Sequence, residues 1–156
     1  MSIYGRLLSS MMLITCLCAT STLYAAPSSP QKATASNDIT QLQALWIAYQ
    51  DQVMLMNKAI THLQTEANES QKLAKISMHI KKLDQIKNAL NRLVIAHSTG
   101  NVLRQQMLEH ATKFQNVYRL ATTPKPTEGQ LSMAQRLTAQ TDLLYQQMQI
   151  TAQGLL

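Results

Sequence analysis

Four histidines (His62, His79, His97 and His110), nine methionines, two cysteines and eight carboxylates are the residues with chemistry to offer. A helical metal pair needs two ligands three or four positions apart, and no two of these histidines stand at that spacing. They read as isolated surface residues. Thioethers bind soft copper, and Met54 and Met56 form an M-x-M pair. Met56, however, falls on an apolar stripe, where methionine serves as a gap-filler. Met1 is the initiator, and Met11 and Met12 belong to an N-terminal apolar run. The carboxylates are scattered, with no pair placed to trade a proton. No G-x-S-x-G, P-loop or dinucleotide fingerprint is present. The residues therefore predict no enzyme, no catalytic or metal site and no cofactor.

The elements that would position any site are helical. Ile39, Leu42, Trp46, Tyr49, Val53, Met56, Ile60, Leu63 and Ala67 alternate at three and four residues, which places them on one stripe of a long helix packed lengthwise on another. With Ile39 as position a, the e positions are Gln43, Gln50, Asn57 and Gln64. Zippers that choose partners by charge put opposite charges at e and g. Uncharged amides there fit a helix inside its own bundle, hydrogen-bonding to its neighbours.

A second ladder runs through Leu73, Ile76, Ile80, Leu83, Ile86, Leu90, Leu93 and His97. Asn68 with Gln71 can cap that helix. No Gly or Pro enforces a turn before it, so one continuous helix with a register slip stays an alternative to a hairpin. Asn68-Glu69-Ser70 also matches a glycosylation sequon, which matters only in a eukaryotic secretory pathway. Gly100, in His97-Ser98-Thr99-Gly100-Asn101, suits a left-handed cap that ends the second helix. A third helix carries Leu103, Met107, His110, Ala111, Phe114, Val117, Tyr118 and Ala121. After the break Thr122-Thr123-Pro124-Lys125-Pro126, Thr127 with Gln130 makes a capping box. The fourth helix shows Leu131, Met133, Leu137, Leu144, Met148 and Ile150. The expected fold is all-α: an elongated three- to four-helix bundle or coiled-coil-like helical hairpin over residues 38–156.

Residues 1–25 read as a secretory signal peptide. Arg6 supplies the positive end, Leu7 to Thr20 the apolar run, and Ala25 the small residue at the cut. The run is short for a membrane span, so no stable span is expected after cleavage. An uncleaved anchor and lipidation at Cys16, in Leu13-Ile14-Thr15-Cys16, are the alternatives. Cleavage would remove both cysteines, Cys16 and Cys18, and send a chain without thiols to an oxidising compartment. Residues 26–37, rich in Ser, Ala, Pro and Thr, read as a flexible tail, with Asn37 or Asp38 as the first N-cap.

The formal charge is +6 and the pI near 9.5. Only 14% of residues are charged, fewer on any one face than nucleic-acid binding requires. The second helix carries Lys72, Lys75, Lys81, Lys82, Lys87 and Arg92 on its outer face against Asp84. Within that set, Lys72, Lys75, Lys82 and Arg92 are candidate docking residues for an acidic partner or anionic lipid headgroups. The bland reading is a solvated face whose stems cover apolar surface.

Three segments resemble TrbJ-type conjugal transfer proteins, relatives of the minor pilin at the tip of type IV secretion pili. They are the Gln-rich helix with Gln41, Gln43, Gln50, Gln52 and Gln64, the stretch Ile95-Ala96-His97-Ser98-Thr99-Gly100-Asn101, and Phe114-Gln115-Asn116-Val117-Tyr118. The second is similar to the family's A-Y-S-x-G-N segment, with His97 where Tyr is usual. The third is similar to its F-x-x-x-F/Y element. The chain departs from the family in lacking the P-G-Y that often follows and in ending early. The resemblance covers residues 1–121. It implies a periplasmic or pilus-associated structural subunit whose partners are other secretion or conjugation proteins, with self-association as an alternative. Leu131-Ser132-Met133-Ala134-Gln135-Arg136 also looks like the L-T-x-x-Q motif of Spy/CpxP-type periplasmic chaperones, with Ser for Thr and no second copy.

Overall fold

In the computed structural model, four α-helices follow one another: α1 (Pro30–Thr65), α2 (Glu69–Arg92), α3 (Ser98–Ala121) and α4 (Glu128–Gln153). The structure describes residues 30–65 and 68–155, and among these there is no strand. The signal peptide, Cys16, Cys18 and Ala67 lie outside the described residues.

Helix α1 spans 36 residues, about 54 Å at 1.5 Å per residue. Its stripe is the core's longest wall: Leu42, Trp46, Tyr49, Val53, Met56, Ile60 and Leu63 are all buried. The start differs from expectation. Neither Asn37 nor Asp38 is an N-cap, because the helix begins at Pro30. Proline is pre-set for a first-turn position, and residues 31–37 contain no Gly or further Pro to halt the turn.

Side-chain contacts fix the topology. Gln52 of α1 meets His79 of α2, so the two helices form an antiparallel hairpin; a continuous helix would hold those residues about 40 Å apart. Asn68 caps α2, its Oδ1 accepting from Gln71 N at 3.1 Å. Arg104 of α3 donates to the Leu90 carbonyl of α2 at 3.3 Å, while Gln115, further along α3, donates to Asp84 at 3.0 Å. These helices are therefore antiparallel too. Lys113 and Gln140 pair α3 with α4, and Trp46 stacks on Tyr145 to bring α4 back to α1. The result is an up-down-up-down four-helix bundle.

The α2–α3 junction corrects a second expectation. Helix α2 stops at Arg92 with Leu93 as an extended C-cap, and His97 is the N-cap of α3, its side chain accepting from Gly100 N. Gly100 thus ends nothing and has no positive φ. It is buried where α1 crosses: a Cβ would come within 2.9 Å of both Ile39 Cδ1 and Ile95 Cγ2. Glycine leaves room for the Ile39 and Ile95 side chains to close over it.

Helix α4 also differs. Its inner face is Ala134, Thr138, Thr141, Leu144, Met148 and Ala152, whereas Met133 and Ile150 are exposed. Small residues admit α3 closely. The threonine hydroxyls satisfy themselves on their own helix, Thr138 on Ala134 O at 2.8 Å and Thr141 on Thr138 O at 2.8 Å. The capping box at Thr127 and Gln130 forms as its residues dictate.

Candidate functional site

The polar side chains that could carry chemistry lie mostly inside the bundle. His110 sits on the buried stripe of α3 and is 2% exposed. Its Nδ1 bonds to the Tyr49 hydroxyl of α1, its ring stacks on Phe114 at 5.8 Å between centroids, and Tyr145 of α4 lies at 5.4 Å. Burial lowers the His110 pKa to about 4, against an opposing hydrogen bond to the Thr141 backbone. A neutral imidazole has one N–H and one acceptor. With Nε2–H donating to the Thr141 carbonyl, Nδ1 accepts from Tyr49. Burial, with Tyr145 adding to it, raises the Tyr49 hydroxyl well above its ordinary pKa, so it keeps the proton it donates. Both nitrogens are engaged and the ring is sealed. The cluster ties α1, α3 and α4 together rather than meeting a solute.

A second polar contact lies between α1 and α2. Gln52, buried at position g, approaches His79 Nδ1 at 3.2 Å and the His79 carbonyl at 3.3 Å. The imidazole stands edge-on to Tyr118. Burial, and then the charge of Lys82, lowers the His79 pKa. Two histidines read as isolated surface residues are therefore packed partners of tyrosines. The signal was present for His110, which falls in step with Met107, Ala111 and Phe114. Among the described residues no group of three His, Cys, Asp or Glu side chains could hold a metal ion.

The four candidate docking residues do not share a face. Lys75, Lys82 and Arg92 are exposed. At about 100° per residue, Lys75 and Lys82 point within about 20° of each other, and Arg92 lies about 80° beyond Lys82. Lys72 is not on the outer face: its side chain is 13% exposed and pairs with Glu69 at 3.6 Å. Eleven residues separate it from Leu83, which returns it to the buried direction. Lys87 is also held, by Asp84 at 3.7 Å and Gln115 at 3.3 Å. What the fold brings together is Lys75 and Lys82, one turn to either side of His79.

Comparison with protein-family models, curated proteins and solved structures finds no match for this chain.

Proposed function

We propose that the chain is an exported, non-catalytic interaction subunit of a type IV secretion or conjugative transfer apparatus, working in the periplasm or on the pilus. One observation supports this above the rest: the residues that carry the TrbJ-type resemblance are those that join the helices. Gly100 packs on Ile39 of α1, Gln52 of α1 meets His79 of α2, and Tyr118 of α3 stands against the same His79. Motif residues used to lock a bundle suit a rigid subunit that acts through its faces. Its partners are other components of the apparatus, with self-association as the alternative.

A second reading, a Spy/CpxP-like periplasmic chaperone, is favoured by the outer side of α4. Leu143 and Ile150 are 59% and 70% exposed and lie seven residues apart on one stripe. Exposed apolar surface of this kind meets other proteins.

Mild crosslinking in the native envelope, recovery of the tagged protein and mass spectrometry of its partners separates the two. Transfer-channel or pilus components support the first reading. Many unrelated envelope proteins with no transfer component would sink it. Suppression of aggregation of an unfolded client at near-equal ratio would then support the chaperone.

A further inference from the structure

Helix α2 holds six basic and two acidic residues, a net +4 of the chain's +6. Its charge is not spread evenly. Measured from the direction of buried Leu83 and Leu90, His79, Lys75, Lys82 and Met78 stand at about 30°, 70°, 90° and 130°, all to one side. On α1, measured from the Leu42–Leu63 stripe, Gln52, Ala48 and Leu55 stand at about 70°, 110° and 130°, again to one side. The contact of Gln52 with His79 makes these the same side. The antiparallel pairing sets Leu55 level with Lys75 and Ala48 level with Lys82. One edge of the hairpin therefore shows two apolar side chains, Leu55 and Met78, each 46% exposed, beside two exposed lysines.

We propose that this α1–α2 edge, Leu55 and Met78 with Lys75 and Lys82, docks the bundle on an anionic lipid surface. Charge complementarity names the sign of the occupant, and the residue types name its form. Lysine ammonium groups are point charges that suit phosphates spread over a headgroup layer, and the edge presents no arginine fork for bidentate pairing with a single carboxylate or phosphate. Lysines beside apolar side chains are the composition of helices that lie in a membrane interface, with stems in the apolar layer and charges at the headgroups. No described helix is long and apolar enough to cross a membrane, so the contact is one of lying on the surface.

The test is co-sedimentation of the full chain with vesicles of phosphatidylglycerol and phosphatidylethanolamine, against phosphatidylcholine vesicles. The apolar run at residues 7–20 is common to every sample, so the readout is the excess binding to the anionic vesicles. That excess should be present at low salt and fall as salt rises. Each lysine near an anionic surface contributes about a factor of five. Lys75→Glu with Lys82→Glu should therefore weaken the excess by about 30-fold or more, with an unchanged thermal melt. Arg119→Glu with Arg136→Glu makes the same charge change on α3 and α4 and should weaken it far less. Equal binding to both vesicle types would overturn the proposal. So would an equal loss from the two double variants, or binding to polyglutamate with no excess on anionic vesicles, which would make the occupant an acidic polypeptide.

Discussion

The Tyr49 hydroxyl of α1 and Nδ1 of His110 in α3 are hydrogen-bonded across 61 positions of the chain, in the buried interior. Tyr118 offers the opposite case: its hydroxyl is buried without a hydrogen-bond partner, and burial pushes its pKa up to about 12. Removing one partner of a buried pair costs the desolvation of the group left behind, about 1–3 kcal/mol, whereas removing an unpaired group costs nothing of that kind. Tyr49→Phe should therefore lower stability by about 1–3 kcal/mol. Tyr118→Phe should leave it unchanged or raise it. Urea unfolding of both variants beside the wild type reads the difference.

The same histidine sets a pH dependence. Folded His110 takes its proton at about 4, and the unfolded side chain at about 6.5. Between these values the unfolded chain binds more protons. Stability is thus full above about 6.5 and falls as pH drops, by about 3 kcal/mol once pH 4 is passed. His79, lowered by burial and Lys82, works in the same direction. Asp142, whose carboxyl burial raises, works in the other, gaining stability as pH falls. His110→Gln keeps an acceptor but cannot titrate. Its melting temperature should be lower at neutral pH and should change less between pH 6.5 and 4.5 than that of the wild type.

Two glycines should respond in opposite senses to alanine. At Gly100 the new methyl meets Ile39 Cδ1 and Ile95 Cγ2 at 2.9 Å, and the branched Ile95 methyl has little room to turn. Overpacking costs about 1–3 kcal/mol, against about 1 kcal/mol gained in helix propensity. Gly100→Ala should destabilise. At Gly129, in the first turn of α4, nothing lies closer than Thr127 Oγ1 at 4.0 Å. Gly129→Ala should stabilise by up to about 1 kcal/mol. Thermal melts of the two variants check the pair.

Neighbours on α1 provide a third contrast. Val53 is 6% exposed and Met54 48%. Val53→Asp buries an unpaired charge and should unfold the domain. Met54→Asp should keep the helical circular dichroism spectrum and stay within about 0.5 kcal/mol of the wild type.

The α1 stripe was legible because one helix face buries against several others, so the three-four spacing is sustained from Leu42 to Leu63. The caps at Asn68 and Thr127 were legible because capping is local chemistry. The packing role of Gly100 is not legible because it depends on α1, more than 50 residues away: the pattern shows a glycine near a helix end but not Ile39 above it. His97 caps α3 locally, but histidine is not among the side chains that usually signal an N-cap. The inner face of α4 was misread because apolarity ranks Met133 and Ile150 above Thr138 and Thr141. In the bundle, size decides, and threonine hydroxyls bonded to their own helix can be buried. Lys72, Lys75, Lys82 and Arg92 share a charge in the sequence, but the rotation of α2 turns Lys72 and Arg92 away from the other two.

Nuclear magnetic resonance titration of the His110 imidazole tests most directly whether the interior of this bundle is a structural lock between α1, α3 and α4. The ring should stay neutral, as the Nε2–H tautomer, until pH approaches about 4. A His110 resonance titrating near 6.5 would place the ring in water and contradict the packing of α1 on α3 from which the rest follows.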